Sequence, residues 1–176
     1  MAVLSIRLFP DPLLKSPTRP VSRVTPSICR FVDDLIETMR SHTRCVGLAA
    51  PQIGSSLRIA VLDVTGHPKA PRGHGLVVLI NPEIAGRQGA SVQREGCLSI
   101  PDLTANVKRA TEVNIRALDL SGKMWQESFQ GFEAIAVQHE VDHLDGYLFL
   151  DRVADLKADV FQRKNYGDVA PREGKR

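Results

Sequence analysis

Residues 131–146, GFEAIAVQHEVDHLDG, decide how the rest of the chain is read. Phe132, Ile135, Ala136, His139, Glu140 and His143 recur at helical spacing, and Gly146 is the residue type that commonly stops a helix. This predicts a helix over 132–144. His139 and His143 stand four residues apart, so on that helix both imidazoles share one face. The segment is the expected centre of the fold.

Upstream, the pattern changes to short runs rich in β-branched residues punctuated by glycine and proline. LRIAVLD (57–63), LVVLIN (76–81), SVQRE (91–95), TEVNIRAL (111–118) and MWQESF (124–129) read as strands. HPKAPRGHG (67–75) reads as a surface loop and Leu120-Ser121-Gly122-Lys123 as a tight turn. Thr25-Pro26, an N-cap followed by proline at the first helical position, opens an amphipathic stretch through Ile28, Phe31, Val32, Leu35, Ile36 and Met39, giving a helix at 26–41. Before it, Pro10, Pro12, Pro17 and Pro20 leave residues 1–24 as an irregular wrapping arm. Val153 to Tyr166 has the spacing of an exposed C-terminal helix, and 167–176 reads as a disordered tail. The expectation is an α+β fold: small antiparallel or mixed sheets around a central helix, flanked by an N-terminal and a C-terminal helix, in one catalytic domain over 1–166.

Composition narrows the function classes. With 176 residues, 43% hydrophobic and 24% charged, the chain can build one core and is neither disordered nor fibrous. The net charge of +3 owes much to Arg163, Lys164, Arg172, Lys175 and Arg176, and no basic stripe or named module points to direct nucleic-acid binding. No apolar run reaches the length of a membrane span, and MAVLSIRLFPDPLL lacks a signal-peptide layout, so no membrane partner and a cytoplasmic location are expected. Cys29, Cys45 and Cys97 are odd in number and widely spaced, which fits a reducing compartment rather than a disulfide framework.

His139-Glu140-Val141-Asp142-His143 matches the H-E-x-x-H pattern in which two imidazoles hold a metal and the glutamate serves as acid and base. Such a site needs a third protein ligand and an open fourth position. Cys97, in EGCLSIP (95–101), is the best candidate, because its thiolate is a strong ligand for iron or zinc and Gly96 permits close backbone approach. VGLAAPQIG (46–54) is too small and polar-tipped for an ordinary strand, reading more readily as a tightly packed turn, and Gln52 could offer an amide donor to a developing oxyanion. Val46, Phe132, Ile135 and Ala136 are placed around an apolar pocket beside the metal. Glu95 and Arg109 are expected to pair and fix the metal-bearing loop, and Asp142 to bond backbone or hold an imidazole's second nitrogen.

Together and in this order, VGLAAPQIG, EGCLSIP and QHEVDHLDG closely resemble the three signature motifs of the peptide deformylases. IRLFPDPLL (6–14), NPEI (81–84), ALDLSG (117–122) and DGYLFLDR (145–152) look like the same family, so the resemblance covers roughly 1–165. It implies hydrolytic removal of the formyl group from the N-terminal formyl-methionine of newly made polypeptides. It also implies that Cys97, His139 and His143 hold one divalent metal, usually iron(II), with zinc, nickel or cobalt able to occupy the site. Glu140 would then be the general acid and base, Gln52 and the Leu98 N–H would hold the oxyanion, and Gly47 would pair with the substrate backbone, with Glu95 and Gly96 also beside the substrate. A contact between the C-terminal helix and the ribosome is a further expectation. One position departs from the family: Cys45 stands where a glycine is usual, which places a third sulfur within reach of the site and raises oxidation or a disulfide with Cys97.

Three other readings share these residues. A closed structural zinc site would recruit Cys29 or Cys45 as fourth ligand. A thiol enzyme would use Cys97 as nucleophile, activated by His139. A zinc endopeptidase would use the same H-E-x-x-H on internal peptide bonds.

Overall fold

The structure, a computed structural model, describes residues 2–163. The N-terminal arm makes one 3-10 turn at Pro12–Lys15 and then leads into α1, Pro26–Ser41. Thr25 caps that helix as expected, its hydroxyl accepting from the Ile28 N–H at 3.4 Å, with proline at the first helical position. Loss of such a cap costs about 1 kcal/mol.

Five strands form one antiparallel sheet: β1 (Gly47–Ala49), β2 (Ile59–Asp63), β3 (Leu76–Gln88), β6 (Glu112–Leu118) and β7 (Met124–Gln130), in the order β1-β2-β3-β6-β7. A second antiparallel sheet contains β4 (Ser91–Cys97), β5 (Ile100–Arg109) and β8 (Val160–Gln162), in the order β4-β5-β8. The α+β class is as expected, with both sheets antiparallel. Alternation along β2 decides where the helices go. Ala60 and Leu62 pack with Ala134, Ala136, Val137 and Val141 of α2, Gly131–Leu144, whereas Ile59 and Val61 pack with Val32, Leu35 and Met39 of α1. A one-residue slip would exchange the two faces and cost both clusters.

The helix α2 is apolar around most of its circumference and is buried on nearly every residue from Glu133 to Leu144, as a helix enclosed on several sides must be. Its third side is closed by the second sheet, where Cys97, Ala105 and Val107 join Leu14, Leu148 and Phe149 in a separate core. The arm is fastened at the exit of α2: the Thr18 N–H donates to the Leu144 carbonyl at 2.9 Å. Gly146, at φ +80°, lies so close that a β-carbon there would meet the Ser16 carbonyl carbon at 2.9 Å.

Two expectations are corrected, and one strand is added that the sequence reading did not include. VGLAAPQIG is a short strand, β1, followed by a 3-10 turn at Ala50–Ile53, not a turn throughout. Residues 100–109 are a strand, β5, because they return along β4 from a tight turn in which Cys97 pairs with Ile100. The C-terminal helix is one turn, α3, Leu156–Asp159, because the chain then extends as β8 and pairs Val160 with Ala105. The expected tail at 167–176 lies outside the described residues.

Candidate metal centre

The three predicted ligands converge. Cys97 at the end of β4 and His139 and His143 on α2 bring their ligating atoms within 4.8 Å of one another, the one such cluster among the described residues. Cys97 Sγ and His143 Nε2 are 3.2 Å apart. Burial would raise the Cys97 thiol, but His143 and His139 outweigh it and hold it well below the ordinary thiol range, the direction that favours the thiolate a metal would bind. A thiolate and two imidazoles are a donor set suited to iron(II) or zinc.

Two of the three, His139 and Cys97, are oriented from behind, whereas the buried Nδ1 of His143 has no hydrogen-bond partner among the described residues. Glu95 Oε2 lies 2.8 Å from His139 Nδ1, leaving Nε2 to face the cluster. The Arg109 guanidinium clamps the same carboxylate, Nε to Oε1 at 2.7 Å and a terminal nitrogen to Oε2 at 3.0 Å. Its other terminal nitrogen donates to Asp142 Oδ2 at 2.5 Å, and Arg152 donates to Asp142 Oδ1 at 2.7 Å. The expected Glu95–Arg109 pair is present, but Asp142 anchors two guanidiniums, and the second nitrogen of His139 belongs to Glu95. Glu95 therefore has both oxygens engaged inside the protein. Cys97 Sγ accepts from Gln52 Nε2 at 3.3 Å and from the Ser99 N–H at 3.4 Å. Gln52 is aimed by the Ala49 N–H, which donates to its Oε1 at 2.9 Å, and its amide nitrogen is also 3.2 Å from Ser99 Oγ.

Glu140 stands beside the cluster with 4% of its surface exposed, and its Oε2 has no hydrogen-bond partner among the described residues. Burial pushes its carboxyl up to about 7, against the downward pull of His139 and His143. A buried carboxylate with a free oxygen beside three ligands is the group a proton-transfer step needs. Gly47 explains how it fits: a β-carbon there would collide with Glu140, whose carboxyl carbon would be 2.8 Å away.

These residues open onto a cavity of about 540 Å³ that Val46, Gly47, Gln52, Leu98, Phe132, Ile135 and Ala136 help to line, so the predicted pocket and oxyanion residues share it with Glu95, Gly96, Cys97, His139 and Glu140. Sequence reasoning missed Ser99, although it lies two residues from the ligand. It also missed His67, which stacks on Phe132 with ring centroids 3.9 Å apart and forms part of the wall. Its loop is held by His74, whose Nδ1 is 2.7 Å from Glu133 Oε2.

None of the three cysteines is in a disulfide. Cys45 donates to the Gly47 carbonyl at 3.1 Å, and Cys29 lies 4.0 Å from the Leu120 carbonyl, so neither completes a fourth ligand position.

The model of the family described as polypeptide deformylase matches residues 3–159. A protein of Alkalilimnicola ehrlichii named peptide deformylase is 44% identical over 165 residues, 93% of this chain and 89% of its own. Among solved structures, a peptide deformylase from Legionella pneumophila superposes with a TM-score of 0.80 at 39% identity, covering 89% of each chain. A class I type b peptide deformylase from Acinetobacter baumannii with Met-Ala-Ser bound superposes with a TM-score of 0.80 at 37% identity, covering 86% of this chain and 99% of that one.

Proposed function

The chain belongs to the polypeptide deformylase family and is an enzyme that removes the formyl group from nascent polypeptides, and from that premise we propose which of its residues do the work. The observation that carries the assignment is the convergence of Cys97, His139 and His143 beside a buried, partly unpartnered Glu140. The three ligands would hold one divalent ion, iron(II) physiologically, with zinc, nickel or cobalt as substitutes. Such an ion acts as a Lewis acid and acidifies a bound water to a pKa of about 7.

The chain's own groups supply the rest. Glu140 takes the proton of the attacking water and passes it to the departing amine, a role suited to a carboxyl raised to about 7. Gln52 Nε2 is positioned beside the Cys97 sulfur, where it donates to the formyl oxygen as that oxygen gains charge, with the Leu98 N–H as second donor. Removal of one such donor typically costs about 3 kcal/mol of barrier. The methionine side chain occupies the apolar part of the cavity between Val46, Phe132, Ile135 and Ala136. The peptide runs between β1 and β4, which are edge strands of their sheets, so that Gly47 and Gly96 offer backbone groups to it. The Met-Ala-Ser bound to the Acinetobacter baumannii relative is a methionine-first peptide of this kind.

The place of action is the cytoplasm, on nascent chains. A ribosome contact rests on charge alone, in the basic residues from Arg163 onward, because α3 is a single turn. Among the described residues no helix is long and apolar enough to cross a membrane. The test is formate release from formyl-Met-Ala before and after chelation, with iron(II) or zinc restored under anaerobic conditions. Activity lost on chelation and recovered with iron(II) supports the assignment; no formate with any metal overturns it.

A further inference from the structure

The outer part of the same cavity has a chemistry that the hydrolysis of a formamide does not call on. Arg44, Lys69, Arg94 and Arg163 line its mouth, Arg44, Lys69 and Arg94 exposed and Arg163 half-buried. None of the four has a carboxylate partner among the described residues, in contrast to Arg40, Arg58, Arg109 and Arg152, each of which is ion-paired. Among the described residues, the only carboxylates in the cavity wall are Glu95 and Glu140, both buried, and Glu95 is taken by Arg109 and His139.

Arg94 and Lys69 are held in place by neutral groups. Arg94 donates to Asn106 Oδ1 at 3.1 Å and to Thr104 Oγ1 at 3.3 Å, and its guanidinium lies 3.5 Å from the centre of the Phe161 ring. Arg163 follows β8 and lies over Gly96, its guanidinium carbon 3.3 Å from where a β-carbon of that glycine would stand. The absence of a side chain at Gly96 thus lets a cation rest directly on the strand next to Cys97. Lys69 reaches across from the loop fixed by the His67–Phe132 stack and the His74–Glu133 pair, its Nζ 3.5 Å from Gln93 Oε1. Arg44 immediately precedes the β1 side of the groove, three residues from Gly47. Arg94 likewise lies three residues from Cys97 along β4, a distance of about 10 Å in extended chain. A peptide lying along β4 with its methionine at the metal centre brings its third and fourth residues to that level.

Resting on the reading of this cavity as the formyl-methionine site, we propose that Arg44, Lys69, Arg94 and Arg163 form a cationic subsite that selects substrates with aspartate or glutamate at the third and fourth positions. Four cations around a groove attract an acidic side chain and repel a basic one, and each exposed pair contributes modestly.

The test uses C-terminally amidated formyl-Met-Ala-Xaa-Xaa peptides, so that the side chains are the only variable charge, with Xaa as glutamate, glutamine or lysine. The enzyme carries its metal, and kcat/KM is measured at low and at high sodium chloride. The glutamate peptide is expected to exceed the glutamine peptide about three- to tenfold, chiefly through KM, and the lysine peptide to fall below it, with the spread shrinking at high salt. In Lys69→Glu, a change at an exposed position, the glutamate-to-glutamine ratio falls towards or below one; because it is a ratio within one preparation, it is independent of how much enzyme is active. Formate released equally from all three peptides, or a preference that high salt and Lys69→Glu leave unchanged, overturns the subsite. No formate from any of them is instead a failure of the deformylase assignment itself.

Discussion

Glu95 Oε2 sits 2.8 Å from His139 Nδ1, and the same carboxylate is gripped on its other side by Arg109, so one candidate metal ligand, on α2, is oriented by a residue two positions before another, on β4. The second sheet and the central helix meet at this relay.

Replacing Glu95 by glutamine preserves its volume but loosens both the imidazole and the guanidinium. Metal affinity is expected to fall about 10- to 100-fold, the usual effect of removing a partner behind a ligand. Competition with a chromogenic chelator measures it; an affinity equal to the parent's would show that the relay does not orient His139.

Acid should unfold the protein through the same network. Burial would raise Glu95, but His139 and Arg109 hold it at about 2, below its ordinary 4.5, and Asp142 is lowered by Arg152 and Arg109 despite its burial. Groups depressed in the folded state contribute stability that is full above their unfolded pKa and is lost as pH falls through the folded one. Thermal unfolding followed by circular dichroism should therefore change little from pH 8 to about 5 on account of these two groups and lose stability between about 4.5 and 2. A glutamine at 95 should weaken that acid dependence, and an unchanged profile would contradict it.

Glu140→Gln removes the proposed proton carrier and leaves the three proposed ligands in place. The expected result is one metal per chain by elemental analysis with kcat reduced at least about 100-fold. Substantial turnover in a fully loaded variant would assign the proton transfers to another group.

Gly47 and Gly96 should differ sharply in what they tolerate. An alanine methyl at 47 meets the Glu140 carboxyl, whereas at 96 it meets the far end of the flexible Arg163 side chain. Gly47→Ala is expected to lower kcat about 100-fold by displacing Glu140, and Gly96→Ala to leave the chemical step far less affected. Steady-state kinetics on formyl-Met-Ala, with melting temperature as a control for folding, compares the two; equal losses would remove the steric argument.

Burial and the nearby Glu140 push the Cys45 thiol up to about 12. It should therefore resist alkylation by iodoacetamide at pH 8 in the native protein and react only on unfolding, as read by peptide mass mapping. Rapid native labelling at Cys45 would show that the thiol leaves the Gly47 carbonyl.

The parts of this molecule that were legible in the sequence are those governed by local chemistry. Thr25-Pro26 marks the start of α1, and the four-residue spacing of His139 and His143 survives translation into space because α2 is regular. β5 was hidden because Pro101, Asp102 and Asn106 interrupt any strand pattern, and only the partner β4 makes that segment extended. Similarly, the helical spacing after Val153 yields to pairing with Ala105. In the site, Cys97 could be chosen by its chemistry, and the Glu95–Arg109 pair by charge. The role of Asp142 could not, because its partners are set by how α2 packs against the second sheet and the segment carrying Arg152. The stack of His67 on Phe132 joins residues 65 positions apart, and nothing local announces it.

The lodging of Ser16 against Gly146, with Thr18 tied to the Leu144 carbonyl, makes the arm a clasp between distant parts of the chain. Its other holds lie elsewhere, the Leu4 N–H on Thr38 of α1, the Arg7 N–H on the Gln52 carbonyl and the Arg19 N–H on the Ser56 carbonyl. A side chain at 146 would therefore pry the arm from the exit of α2 while leaving it fastened at both flanks.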